Sequence, residues 1–144
     1  MKVDAYLERI GYTGSRAPTA ETLRALHLAH LYNVPFENLD IARKVPIILD
    51  LTTLYDKIVE HRRGGFCYEA NGMFSWMLTE LGFDVTLLSA CVATQDDSYG
   101  PDFDHLCLLV KCPADAEPHT LWLADVGFGD TFRHPLRLDI PGDQ

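Results

Sequence analysis

Apolar residues recur at helical spacing through the first half of the chain and give way to short apolar runs in the second. Val3 to Ile10 has the spacing of a short amphipathic helix stopped by Gly11. Pro18-Thr19 introduces a longer one, with Thr19 placed to cap and Glu21 in the favourable first turn. Leu23, Leu26 and Leu31 form its apolar face, His27 and His30 lie near that face without an assigned role, and Asn33 and Pro35 end it. The alternating segment from Val34 to Asp40 predicts a loop anchored by Phe36 and Leu39, with Glu37 and Asn38 pointing elsewhere. Asp50 to about His61 predicts another helix with Leu51, Leu54, Tyr55 and Ile58 inward. A last helix runs from Cys67, with Ala70, Phe74, Met77, Leu78 and Leu81 on one face and Gly82 at its end.

After Gly82 the pattern changes. Phe83 to Ala93 is rich in β-compatible residues, and the polar run from Thr94 to Asp102 separates it from the apolar strand His105 to Val110. Pro113 to Pro118 is a hairpin-like connection to Leu121–Ala124, so the strands bearing His105 and Asp125 are expected to be antiparallel neighbours. Helices followed by a meander define an α+β class with a helical unit over 1–82 and a sheet unit over 83–144. Ile140-Pro141-Gly142-Asp143-Gln144 are turn formers with no closing strand, leaving a three- or four-stranded sheet with an open edge. Such an edge predicts homo-oligomers.

Composition narrows the partners. The 144 residues carry 47% hydrophobic content, ample for one core, and a net charge of −9 with only 12 Lys and Arg. With no basic run longer than Arg62-Arg63, neither nucleic acid nor an anionic membrane surface is expected as a partner. No stretch reaches the ~20 apolar residues of a membrane span, and Met1-Lys2-Val3-Asp4 lacks the apolar region of a signal peptide, which predicts a cytoplasmic address. The four cysteines at 67, 91, 107 and 112 have no paired C-x-x-C spacing, which argues against a disulfide framework and against a metal site.

The segment Arg63-Gly64-Gly65-Phe66-Cys67-Tyr68-Glu69-Ala70-Asn71 places a cysteine at a helix start directly behind a glycine-rich turn. Unpaired N–H groups and the positive end of the helix dipole favour thiolate there, below the free value of roughly 8.5. A reactive thiolate needs a base and a group to orient that base. His105 opens one strand and Asp125 closes another before Val126-Gly127-Phe128-Gly129. Together they form a Cys-His-Asp relay in which the carboxylate fixes the imidazole tautomer and steadies the imidazolium.

These blocks, with Val34-Pro35-Phe36-Glu37-Asn38-Leu39, resemble the motifs of the arylamine N-acetyltransferases, in that family's order. The resemblance covers the whole chain. It implies a helical bundle followed by a partial antiparallel β-barrel, with a cysteine-proteinase-like triad of Cys67, His105 and Asp125. It implies acetyl-CoA as co-substrate without a metal, and ping-pong transfer through a cysteine thioester to an arylamine, arylhydrazine or arylhydroxylamine. Phe128, Val92 and Phe36 match acceptor-pocket positions, and Gly127 and Gly129 match a glycine turn near the coenzyme. Family members are nearly twice this length and carry a third α/β domain, which the resemblance leaves outside this chain. Arg63 is expected to pair with Glu37 by two-pronged recognition, locking the loop that contains Asn38 behind Cys67. The same triad also suits a cysteine hydrolase of transglutaminase or papain type, and a truncated, non-catalytic binding module is a third reading.

Overall fold

The computed structural model describes residues 1–130 and 132–142. Its helices are α1 (Val3–Arg9), α2 (Ala20–Asn33), α3 (Leu39–Ala42), α4 (Leu51–Tyr55) and α5 (Cys67–Glu80), with a π-helical turn over Asp56–Glu60 prolonging α4. The Thr19 hydroxyl accepts the Thr22 N–H at 3.2 Å, the N-cap expected of that residue. Asp50 caps α4 in the same way, accepting the Thr53 N–H at 3.0 Å. The π turn was not anticipated, because over five residues its period cannot be told from that of an α-helix.

Strands β1 (Asp84–Ala90), β2 (His105–Lys111), β3 (Trp122–Ala124) and β4 (Leu136–Arg137) form one antiparallel sheet in sequence order. Ala90 pairs with His105, and Leu108 pairs with both Leu87 and Ala124. The start of β2 and the end of β3 therefore lie at the same end of the sheet, which brings His105 and Asp125 together. β4 is the element the pattern did not predict: two residues are too few to show alternation. Of the expected turn-forming tail, Asp143 and Gln144 lie outside the described residues.

A continuous core joins helices and sheet. Tyr6, Ile10, Leu26, Ile58, Phe74 and Met77 meet Leu108, Val110, Trp122 and Val126. Each such side chain contributes about 1.5–3 kcal/mol by leaving water. Buried Arg9 connects α1 to its surroundings through main-chain oxygens: Nε donates to the Ile58 carbonyl at 2.8 Å, one terminal nitrogen to Asn33, and the other to Arg63 at 3.1 Å. Carbonyls at the C-terminal ends of α2 and the π turn are thus satisfied by one guanidinium. No described helix is long and apolar enough to cross a membrane.

Three expectations for the first half need correction. Phe36 and Leu39 do not anchor their loop but stand 47% and 59% exposed, while the Glu37 side chain turns inward. Lys57, largely withdrawn from water, and partly buried Arg63 draw the nearby carboxylates inward, and that demand overrides apolar burial. The same segment goes on into α3 rather than remaining a loop. Leu51, expected inward, is 40% exposed at the first turn of α4. It borders an open groove of about 500 Å³ shared with Trp76 and Leu87.

His27 and His30 on α2 are fully buried. Burial is the main cause that lowers their pKa values, to about 4 and about 3 respectively. Both folded values lie below the unfolded value of ~6.5, so the unfolded chain binds the extra protons. Stability is complete above that value and is lost as pH falls toward 4. Urea unfolding is expected to show stability dropping by up to roughly 1.4 kcal/mol per pH unit per histidine below pH 6. A flat profile between pH 6.5 and 4.5 would contradict this account.

Candidate active site

Cys67 begins α5 at the mouth of a tightly folded turn. A Cβ on Gly64 would lie 1.8 Å from the Pro35 carbonyl oxygen, so only glycine lets the two main chains pass. Phe36 and Gly65 form a parallel bridge there, and the Glu37 N–H donates to the Gly65 carbonyl at 3.1 Å. Arg63 fastens the crossing from the side: its Nε and one terminal nitrogen lie 3.0 and 2.7 Å from Glu37 Oε1. The expected pairing is present, yet both prongs reach one oxygen. The same terminal nitrogen also meets Asp40 Oδ1 at 2.9 Å, so the guanidinium bridges two carboxylates. Asn38 is exposed and its side chain does not cap α3; its carbonyl accepts the Ile41 N–H.

Opposite the helix start, His105 Nε2 lies 2.6 Å from Asp125 Oδ2, with both residues buried. The other carboxylate oxygen, Oδ1, accepts from Asn71 Nδ2 at 2.8 Å and from the Gly127 N–H at 2.9 Å. Burial alone would raise the Asp125 pKa, but these donors hold it below the ordinary carboxylate value. For His105, burial pushes downward while Asp125 and the Cys67 sulfur push harder the other way, to about 9. Burial likewise raises the Cys67 thiol, and His105 together with backbone hydrogen bonds from Leu106 and Tyr68 brings it below its ordinary value. Each group thus favours the charged form of the other.

Two residues that sequence reasoning left without a role hold this arrangement. Asn71 stands one helical turn beyond Cys67 and is fully buried. Its amide donates to the Leu106 carbonyl at 2.7 Å as well as to Asp125, and its oxygen accepts the Val126 N–H at 2.9 Å. The helix is thereby fastened to β2 and to the residues after β3. A polar residue on the apolar face of α5 was the available signal. His27 is the second: its Nε2 accepts the Asp125 N–H at 3.2 Å, so Nδ1 carries the proton donated to the Arg133 carbonyl at 3.0 Å. No local pattern could pair it with a residue 98 positions away.

The remaining candidates surround the triad unevenly. The Phe128 ring meets the His105 imidazole edge to face at 5.1 Å and is 43% exposed. Phe36 covers Gly129, where a Cβ would approach its ring to 3.6 Å. Val92 is half-buried in the connection after β1, and its carbonyl accepts the Gly100 N–H. Gly127 is packed against the backbone of Cys67: a Cβ would lie 2.6 Å from the Cys67 Cα. Among the described residues no group of three or more His, Cys, Asp or Glu side chains is arranged to hold a metal ion.

Residues 19–144 match the N-acetyltransferase family profile. The chain belongs to that family. Its relatives within it are arylamine N-acetyltransferases: that of Escherichia coli is 42% identical over 134 residues, covering 92% of this chain and 46% of the relative. The arylamine N-acetyltransferase / N-hydroxyarylamine O-acetyltransferase of Salmonella typhimurium is 44% identical over 93% of this chain and 46% of its own length. The solved arylamine N-acetyltransferase of Mycobacterium marinum superposes with a TM-score of 0.90 at 40% identity, over 99% of this chain and 53% of that one. Its complex with CoA gives 0.89. The chain thus spans about half the length of the relatives it matches.

Removing the Asn71 amide in Asn71→Ala strands the Leu106, Asp125 and Val126 groups and is expected to cost about 2–4 kcal/mol of unfolding free energy. Gly127→Ala forces a methyl against Cys67 and should cost about 1–3 kcal/mol. Both variants should also slow alkylation of Cys67 at pH 7; thermal melts and peptide-mapped labelling check the two effects, and parent-like values in both would contradict the account.

Proposed function

We propose that this chain carries the acyl-transfer centre of an arylamine N-acetyltransferase, with Cys67 as nucleophile, His105 as proton carrier and Asp125 as the group that orients it. The observation that carries the reading is the buried 2.6 Å contact of His105 with Asp125 facing a thiol at a helix start. Residues 1–82 deliver the nucleophile, and residues 83–144, a partial β-barrel in this reading, deliver the imidazole and carboxylate.

The Cys67 thiolate attacks the thioester carbonyl carbon of acetyl-CoA. The resulting oxyanion is met by backbone N–H groups near Cys67, where the main chain of Tyr68 and Leu106 already approaches the sulfur. Collapse breaks the bond to the coenzyme sulfur, which leaves with the proton of the His105 imidazolium. One thioester replaces another, so the step is nearly balanced. The neutral imidazole then accepts a proton from an arylamine or arylhydrazine nitrogen as that nitrogen attacks the acetyl carbon. Expulsion of the Cys67 thiolate restores the starting ion pair.

Phe128 and Phe36, both exposed beside the triad, offer faces for a flat aryl acceptor, with Val92 as a third pocket residue in this reading. Gly129, in a left-handed turn beside the Phe36 ring, is the coenzyme-side glycine in this reading, whereas Gly127 lies against Cys67. Arg63 and Glu37 form the support behind the thiol, while Asn38, assigned to it from the sequence, stands exposed beside the turn.

Intact mass after mixing with acetyl-CoA at pH 7 should show one acetyl group, mapped to Cys67 and lost on adding an arylamine. His105→Asn should slow that loading by about 100-fold or more. No acetylation of the folded chain, or loss of the acetyl to water as fast as to amine, would overturn the proposal, the latter in favour of a hydrolase.

A further inference from the structure

Behind the nucleophile lies a charge cluster that the triad does not use. Glu37, Asp40 and Glu69 supply three carboxylates, and Lys57 and Arg63 two cations, giving a formal charge of −1. Lys57 sits at its centre. Its Nζ lies 2.7 and 2.8 Å from the two oxygens of Glu69, 3.0 Å from Asp40 and 3.8 Å from Glu37. The Lys57 side chain is only 10% exposed and that of Glu69 only 4%. Lys57 comes from the π-helical turn, and its carbonyl accepts the Arg63 N–H at 3.1 Å. Widened turns of this type often mark functional sites.

Glu69 connects the cluster to the thiol. It occupies the third position of α5, and its Oε2 accepts the Phe66 N–H at 3.1 Å, the residue directly before Cys67. A carboxylate there fixes the helix start, but its negative charge, two residues from the sulfur, opposes thiolate formation. Lys57 resolves the conflict. The ammonium grips both oxygens, which locks the carboxylate in its capping position and cancels its charge.

We infer that Lys57 is a positioning residue for the Cys67 nucleophile, acting through Glu69 to hold the helix start while shielding the thiolate from the carboxylate charge. This rests on the reading of Cys67 as a reactive thiolate. The charged groups around the path are Glu37, Asp40, Arg63 and Glu69, with Asp56 and His61 on the wall of the adjoining cavity. On the far side of Cys67 stand His105 and, behind it, Asp125.

The test is the pH dependence of iodoacetamide labelling, read at Cys67 by peptide mass, with exposed Cys91 as an internal comparator. Alkylation needs no acyl donor, so its result is independent of whether acetyl-CoA loads the thiol. Lys57→Met takes the cluster to −2 and should raise the Cys67 midpoint by about half to one pH unit. Adding Glu69→Gln to that variant returns the cluster to −1 and keeps an oxygen acceptor for Phe66, so the midpoint should come back to the parent value. A purely structural role predicts the opposite, because two lost contacts loosen the turn more than one. Glu69→Gln alone, at net zero, should lower the midpoint, and this variant decides the matter if circular dichroism shows Lys57→Met unfolded. An unchanged midpoint in Lys57→Met, a double variant as displaced as the single one, or an unmoved or raised midpoint in Glu69→Gln would overturn the inference.

Discussion

The ion pair between His105 and Asp125 is the constraint to which the rest of the structure answers. A carboxylate buried to this degree is tolerable only if each oxygen is satisfied, since an unpaired buried charge costs several kcal/mol. One oxygen receives the imidazole, and the other receives Asn71 and the Gly127 N–H. Meeting that requirement draws in α5 through Asn71, the turn after β3 through Gly127 and α2 through His27. The groups that satisfy the carboxylate come from both helices and sheet, which also share one apolar core.

A second set of charges performs the corresponding task on the other side of the thiol. Arg9 binds the carbonyls of Asn33, Ile58 and Arg63, while Lys57 and Arg63 bind the carboxylates of Glu37, Asp40 and Glu69. The turn carrying Cys67 is thus held between a network of charged groups behind it and an imidazole in front. Hydrogen bonds from Arg63 and Lys57 hold the Asp40 carboxyl below the usual carboxylate range.

Much of this was legible in the sequence wherever a local rule applied. Thr19 capped, Gly82 ended α5, and the polar run after β1 separated two strands, because caps, glycines and alternation act over a few residues. The meeting of His105 with Asp125 followed from a hairpin between their strands. Asn71 and His27 were not legible as supports, since their partners lie 54 and 98 residues away and share no period with them. Phe36 and Glu37 were assigned opposite orientations because hydropathy places apolar residues inside. Two partly buried cations, Lys57 and Arg63, reversed that order, and a pattern of single positions does not carry the requirement of one charge for another.

The most direct measurement is the proton titration of the His105 imidazole by NMR, in the parent and in Asp125→Asn. The account predicts that His105 remains protonated at neutral pH and loses its proton near pH 9 in the parent, shifting toward the ordinary value of about 6.5 once the carboxylate is removed. A parent titration already near 6.5, unchanged by Asp125→Asn, would contradict it.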